Sequence, residues 1–531
     1  MTEIALLLLA AATGFGISRA LGLPAIPFLI VSGFGLSFVA HVEEAFLQDN
    51  LVLGITFLVF VAGIELNPQR VRRQKSAAVA VGLTQFLVLG GLGYMAGRAL
   101  GFDTHASIYL ALALTASSTL VVVRILQQRR QLFEGFGRLV MGVLLLQDLA
   151  IILLIPVVTR LPEGFVSVST GVGATLLLVA ISYVLLRWVL PELLRRISLD
   201  EELLLLAVLA LLFLFLFVSD RMGVPLVAGA FLAGLALSSF PVNGVVRGQL
   251  SSLADFFTAT FFTALGASLG VPSGTELLQA AALAIVVLVV TPPLVAIIAE
   301  WAGFSARPAI FSGLLLSQTS EFSLVVGLQG VVAEQILPGT FTVIALVTLM
   351  TMTLTPFLAN DRLSLGLMRF HPARRGTPQP ADPPSDHVLM LGCGVSGMPL
   401  LETLLIGPYP VVAVDDDPQI VQRVRDAGVE AIRGDAADVE LLRRAGADRA
   451  RVVVSTVRRI EDNGPLLEMT AGRVPVLVRA FNVEDAAWVD ARGGRAVLYS
   501  DAAAEGFLEW FDRDGWVEPD ALEDEEMEQV L

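Results

Sequence analysis

The sequence predicts a polytopic α-helical membrane domain of about 13 spans, arranged as two inverted repeats, with a C-terminal α/β domain in the cytosol. Three observations predict it. Long apolar runs fill residues 1–358, motifs recur at an offset of about 200 residues, and a glycine loop follows a buried-strand pattern near residue 390.

Composition sets the solvent. Of 531 residues, 55% are hydrophobic and only 16% are charged, where soluble domains carry about 25% charge. A lipid bilayer accommodates that excess. The net charge of −15 excludes nucleic acid as a partner, because neutralising phosphates needs basic surface. Much of the negative charge lies in the C-terminal part, which ends in a solvated acidic tail with Glu523 to Glu528. Cys393 is the single cysteine, so no disulfide framework, cysteine zinc site or tightly bound metal is expected. The first apolar run lacks a basic flank and reads as a first helix, not a cleaved signal.

Spans of about 20 apolar residues fall near 3–20, 24–41, 50–66, 76–99, 106–125, 137–159, 166–190, 202–219, 223–239, 256–270, 276–299, 308–330 and 338–358. Basic residues cluster after odd-numbered spans. These are Arg70, Arg72, Arg73 and Lys75, then Arg129 and Arg130 flanked by Arg124 and Arg138, then Arg195 and Arg196. The alternate loops hold isolated cations such as Arg160 and Arg221. The positive-inside rule then puts the N-terminus outside and the C-terminal domain in the cytoplasm.

The repeat is carried by three matches in one order. Gly22-Leu23-Pro24, with Gly33 and Leu36, recurs as Gly223-Val224-Pro225, with Gly234 and Leu237. Ala62-Gly63-Ile64-Glu65-Leu66 is matched by Leu265-Gly266-Ala267-Ser268-Leu269. Leu114 to Thr119 is matched by Leu316 to Glu321. Spans 1–6 therefore pair with spans 8–13, and span 7 links them. The odd separation inverts one half relative to the other, a common plan of secondary transporters.

Buried ionisable groups are costly in hydrocarbon and point to function. Asp148 and Glu321 lie near span centres, whereas Glu65 lies near a span end. Glu321 can alternatively be a structural carboxylate that holds an interrupted helix together. The fifth and twelfth spans have hydroxyl-rich centres, Thr115, Ser117, Ser118 and Thr119, then Ser317, Thr319, Ser320 and Ser323. Such residues compete with helical backbone for hydrogen bonds. Paired interruptions at equivalent positions predict discontinuous helices and a midplane ion site, with Ser117, Ser118, Thr119, Gln318 and Glu321 near Asp148 and Gln147. A proton and a monovalent cation neutralise the same buried carboxylate, so at Asp148 they compete. One acid there, preceded by Gln147 instead of a second carboxylate, predicts electroneutral exchange.

A Pro-rich linker over 359–386, with the run Pro378 to Pro384, leads into the strand pattern His387 to Leu391. Gly392-Cys393-Gly394-Val395-Ser396-Gly397 follows, then a helix pattern, then the strand Val411 to Val414 ending at Asp415, Asp416 and Asp417. Asp415 stands 18 residues after Gly397, near the spacing at which an acid bonds a nucleotide ribose. Further strands at Glu430 to Arg433 and Val452 to Ser455 complete a parallel, Rossmann-like sheet over 387–500, with residues 501–531 as the tail. Asp435 is expected on the adenine side, or as an N-cap for the helix from Val439. The expected ligand is an adenine nucleotide: NAD(H), AMP or ATP.

The residues Gly63 to Arg70 (GIELNPQR), the Gln147-Asp148 pair, Gly229 to Ser238 (GAFLAGLALS) and Gln318 with Glu321-Phe322 resemble the second family of monovalent cation–proton antiporters, in its Kef-type potassium branch. The glycine loop and Gly434 to Asp438 (GDAAD) resemble an RCK or TrkA-N domain. The resemblance covers nearly the whole chain. It implies crossed, broken helices in a core bundle that moves against a dimerisation bundle, a homodimer in a bacterial inner membrane, and K⁺ bound at Asp148. It also leaves room for an ancillary regulatory subunit. Val395 stands where the family often has Arg, and no acidic regulatory loop or glutathione pocket is matched, so glutathione gating does not carry over. Na⁺/H⁺ exchange and a ligand-gated K⁺ channel are the competing readings. A membrane-anchored dehydrogenase is a third, and it leaves the repeat unexplained.

Overall fold

The computed structural model describes residues 2–40, 42–65, 75–129, 131–132, 134–185, 188, 201–238, 243–368, 383–394 and 396–513. The basic residues Arg70, Arg72, Arg73, Arg130, Arg195 and Arg196, the loop residue Val395 and the tail from 514 onward lie outside them. The chain divides into two units, Met1–Ala302 with Pro308–Phe370, and Gly303–Arg307 with His371–Leu531.

The first unit is helical. In chain order it holds α1 (Thr2–Leu21), α2 (Ala25–Val39), α3 (Glu44–Glu65), α4 (Lys75–Ala99), α5 (Thr104–Ala113), α6 (Thr119–Gln128), α7 (Gly135–Val158) and α8 (Phe165–Val184). Then come α9 (Glu201–Arg221), α10 (Leu226–Ser238), α11 (Asn243–Ser268), α12 (Gly274–Trp301), α13 (Ala306–Leu316), α14 (Glu321–Val332), α15 (Pro338–Leu358) and α16 (Asp361–Met368). Among the described residues, every apolar stretch expected as a span overlaps a helix or a helix pair. Eight segments among the described residues are long and apolar enough to cross a membrane, and four shorter apolar helices accompany them. The sequence placed the starts of α3 and α11 too late. Polar residues such as Asp49 and Asp255 extend these helices beyond their apolar cores.

The two interruptions are present. The fifth span is α5 and α6, broken over residues 114–118, and the twelfth is α13 and α14, broken over residues 317–320. Ser118 caps α6 and Ser320 caps α14, equivalent serines of the two repeats. Gly22 and Gly223, also equivalent, both turn the chain at positive φ, 68° and 64°, a conformation that favours glycine.

The repeat extends to packing. A Cβ on Gly234 would strike the Phe60 carbonyl, and one on Gly63 would strike that of Phe231, so α3 and α10 touch backbone to backbone. Likewise a Cβ on Gly33 would strike the Thr263 carbonyl and one on Gly266 that of Ile30, joining α2 to α11. Each repeat's second helix thus packs on the other's third. Without a hydrophobic force between helices in lipid, close approach through small residues supplies the attraction.

The second unit carries six strands: β1 (Val388–Leu391), β2 (Val411–Asp415), β3 (Glu430–Arg433), β4 (Val452–Ser455), β5 (Val476–Ala480) and β6 (Arg495–Leu498). Their order is β3-β2-β1-β4-β5-β6, and every pairing is parallel. Apolar runs such as Val388 to Leu391 are buried along their whole length, as a sheet covered on both faces requires. Helices α17 (Met398–Leu404), α18 (Pro418–Asp426), α19 (Val439–Arg444), α20 (Gly464–Thr470) and α21 (Val483–Asp490) provide that cover. A final helix, α22 (Tyr499–Arg513), continues past residue 500 into the stretch read from sequence as tail.

Candidate functional site

In the helical unit the site is built around two broken helices. Breaking a helix frees backbone groups that must find partners, because lipid offers none. Here the breaks supply each other. Ser117 Oγ donates to the Leu316 carbonyl at 2.8 Å, and Ser323 Oγ donates to the Ala113 carbonyl. Thus a hydroxyl from each interrupted span closes the helix end of the other.

Neighbouring helices complete the support. The Ser117 amide donates to Gln147 Oε1 at 3.1 Å, from α7. The Thr319 amide donates to Thr351 Oγ1 at 3.1 Å, and the Thr319 hydroxyl reaches Thr348 Oγ1 at 3.1 Å, both from α15. Ser320 Oγ accepts from the Phe322 amide at 3.1 Å, and Ser323 Oγ accepts from the Ser320 amide at 3.2 Å. Gln318 turns its Nε2 to the Leu315 carbonyl at 3.3 Å. Thr115 bonds the Leu112 carbonyl at 2.7 Å, and Ser317 the Leu314 carbonyl at 2.7 Å.

Asp148 sits on α7 one residue beyond Gln147 and is 6% exposed. Its Oδ2 accepts from Thr119 Oγ1 at 2.9 Å, the first residue of α6. A cavity of about 390 Å³ opens beside it, lined by Thr119, Asp148 and Glu321 together with Leu58, Asp255 and Thr258 among others. Glu321 is buried and is the first residue of α14. Of the residues expected at the ion site, Thr119, Asp148 and Glu321 share this cavity. Ser117, Ser118, Gln147 and Gln318 are buried behind it and hold the breaks.

Sequence reasoning missed Gln85, Thr348, Thr351 and Asp255. Gln85 on α4 is fully buried, with its Nε2 3.4 Å from Ser117 Oγ. Its amide in the middle of an apolar span is a signal of the kind that singled out Asp148. Thr348 and Thr351 stand a turn apart on one helix face, visible as a spacing.

In the second unit, the strand order reverses beside β1, and the crevice at the carboxyl ends of β1 and β4 is where such sheets bind nucleotides. Three glycines of the loop have three distinct environments. Gly392 turns at φ 80°, and its carbonyl accepts from Thr456 Oγ1 at 2.7 Å. Gly394 has open space, with only Ile420 Cδ1 at 3.8 Å from a built Cβ. Gly397 packs against the Gly392 carbonyl with no room for a Cβ. These match a tight turn, a backbone open to phosphate, and close helix packing. Ser396 lies in the turn between the last two.

Asp415 ends β2. Its Oδ2 accepts from the Cys393 amide at 2.6 Å, and its Oδ1 from the Asp417 amide at 2.9 Å. Burial raises its carboxyl above the ordinary range, opposed by those amides. Burial and the Asp415 charge also push the Cys393 thiol up to about 12, so it stays protonated. Asp416 is half-buried beside it. Asp435 is no N-cap: it accepts from the Ala437 amide at 2.9 Å, while Asp438 caps α19.

Discontinuous helices, an acid at their centre and an appended dinucleotide-binding fold define a class: a multi-span cation:proton antiporter with a TrkA-N domain. Comparison with known proteins places it further. Residues 4–360 match the family "Sodium/hydrogen exchanger, transmembrane", to which this chain belongs, and residues 388–502 match the TrkA-N domain. Among curated relatives, the glutathione-regulated potassium-efflux system protein KefC of Salmonella paratyphi B is 26% identical over 474 residues, spanning 86% of this chain and 74% of its own. KefC of Shigella flexneri is 26% identical over 468 residues, with 86% and 74% covered. Among solved structures, the sodium proton antiporter MjNhaP1 of Methanocaldococcus jannaschii shares the fold at TM-score 0.53 and 15% identity. That match covers 69% of this chain and 99% of the other.

Proposed function

We propose that this protein exchanges K⁺ for H⁺ one for one across a bacterial inner membrane, and that an adenine nucleotide on its TrkA-N domain regulates the exchange. The observation that carries the reading is the Asp148 carboxylate, held by Thr119 at the joint of a broken helix and facing a cavity. Whichever of H⁺ or K⁺ occupies it, the site carries the same charge. Gln147 beside it is uncharged and accepts from the Ser117 amide through Oε1, which leaves one carboxylate at this position on α7. The Gln-Asp pair and the relatives named as potassium-efflux proteins favour K⁺ over Na⁺. Alternating access moves the cavity wall bearing Asp148 relative to the opposite wall. A homodimer, an external N-terminus and a cytoplasmic TrkA-N domain belong to the same reading.

In the TrkA-N domain, Gly394 offers phosphate a backbone that no side chain crowds. NAD(H), AMP or ATP fits this crevice, with Asp415 near the ribose and Asp435 toward the adenine. Binding shifts transport only if it distinguishes two transport states.

The test uses proteoliposomes with K⁺ and Na⁺ compared and internal pH recorded. Asp148→Asn should abolish exchange while expression and oligomeric state persist, and Asp148→Glu should retain partial exchange with a shifted pH optimum. A clamped membrane potential should leave the wild-type rate unchanged. Normal exchange by Asp148→Asn would overturn the site, and strong voltage dependence would overturn electroneutrality, with Glu321 the next group to test.

A further inference from the structure

The cavity beside Asp148 has two walls on different helices. One is carried by α6, α7 and α14, with Thr119, Asp148 and Glu321; the other by α3 and α11, with Asp255 and Thr258. Most of the lining is apolar. The ionisable residues among the described lining are Asp148, Asp255 and Glu321, all acids, and no described lining residue is cationic. Asp148 and Glu321 are buried, whereas Asp255 is exposed. Asp255 and Thr258 are three residues apart on α11 and so present one face of that helix.

A cation must shed water before it meets a buried carboxylate, and that loss is costly unless the ion has first been drawn in. A cleft with apolar walls and charge of one sign focuses its field and raises the local counter-ion concentration. An exposed carboxylate can do this while its ion stays hydrated. We propose that Asp255 is the capture carboxylate of the transport cavity: it concentrates hydrated cation opposite Asp148, which then takes the ion. The inference rests on the exchange site proposed above and adds a step to it. Asp255 contributes to loading, so its effect belongs in the half-saturating cation concentration and not in the turnover of the loaded carrier.

The experiment uses the full chain in proteoliposomes. At low ionic strength Asp255→Asn should raise KM for K⁺ by about threefold or more, with little loss of Vmax. Asp255→Lys should raise it further, and Asp255→Glu should restore it. Adding a bulky inert salt, N-methylglucamine chloride, should narrow the gap between wild type and Asp255→Asn, because screening shortens the reach of an exposed charge. A KM unchanged by Asp255→Asn, a fall in Vmax at constant KM, or a KM gap indifferent to salt would each overturn the capture role. Asp148→Asn, run in parallel, separates the two ideas. If it exchanges normally the site itself is wrong; if it is inactive and Asp255→Asn is silent, only the capture step fails.

Discussion

Ser117 Oγ lies 2.8 Å from the Leu316 carbonyl oxygen, so the break in one half of the molecule is closed by the other half. Ser323 returns the favour to Ala113. Replacing Ser117 with Ala removes the donor and strands a buried carbonyl, a loss of about 1–3 kcal/mol. Ser117→Ala should therefore lower the melting temperature in detergent, and Ser323→Ala should do likewise. Because both act on one junction, the double variant should depart from additivity. Simple additivity would show that the breaks are independent.

The glycine contacts between repeats carry a second prediction. Gly63→Val and Gly234→Val each place atoms where a neighbouring carbonyl already lies, and overpacking costs about 1–3 kcal/mol or more. Both should impair folding, read as loss of monodisperse protein in detergent. Gly35→Val, with nothing within 4 Å of its built Cβ, is the matched control and should be tolerated.

Much of this arrangement is legible in the sequence because membrane and symmetry both restrict the chain. Span positions follow from hydropathy, and the breaks follow from hydroxyls recurring at equivalent places. The supporting partners are less legible. Gln147 neighbours Asp148 in sequence, and its amide oxygen also holds the Ser117 backbone. No linear pattern announces that α7 crosses the break at that height. Asp255 escaped notice because an acid near a helix segment of mixed polarity looks solvated until the fold sets it in the wall of a cavity. Asp435 and Asp438 are both plausible caps in sequence, and only backbone geometry selects Asp438.

His387, at the start of β1, predicts a pH dependence. Its Nε2 bonds the Ala445 carbonyl at 2.9 Å, while its buried Nδ1 has no partner among the described residues. Burial lowers its pKa below the ordinary 6.5, against upward pulls from Ala445, Glu430 and Asp386. The folded state thus favours neutral His387, and the unfolded chain protonates first on acidification. Its contribution to stability is present above about pH 6.5 and is lost as pH falls through the lower folded value. Hydrogen exchange of the β1 peptide, corrected for intrinsic rates, should show weaker protection at pH 5 than at pH 7. His387→Gln should flatten that dependence, and an unchanged slope would refute the assignment.

The last prediction separates a ligand-binding loop from a merely structural turn. Gly392 and Gly397 are glycine for reasons internal to the fold, one by its positive φ and the other by contact with the Gly392 carbonyl. Gly394 is not: a Cβ there meets only Ile420 at 3.8 Å. What Gly394 leaves open is space for a ligand's phosphate against backbone amides. Gly394→Asp should therefore keep the domain folded while its carboxylate repels phosphate, abolishing nucleotide binding and any nucleotide-dependent change in exchange. Gly394→Ala should fold normally and weaken binding. Gly397→Ala should instead disturb the fold. Asp415, near the ribose, should disfavour a 2′-phosphate, so NAD(H), AMP or ATP should outcompete NADP(H). Calorimetry on the purified full chain, titrated with each nucleotide, measures all of this, and deletion of residues 387–531 should leave exchange that no nucleotide alters. Nucleotide binding undiminished in Gly394→Asp would place the ligand elsewhere, and no heat with any nucleotide would reduce the loop to a turn.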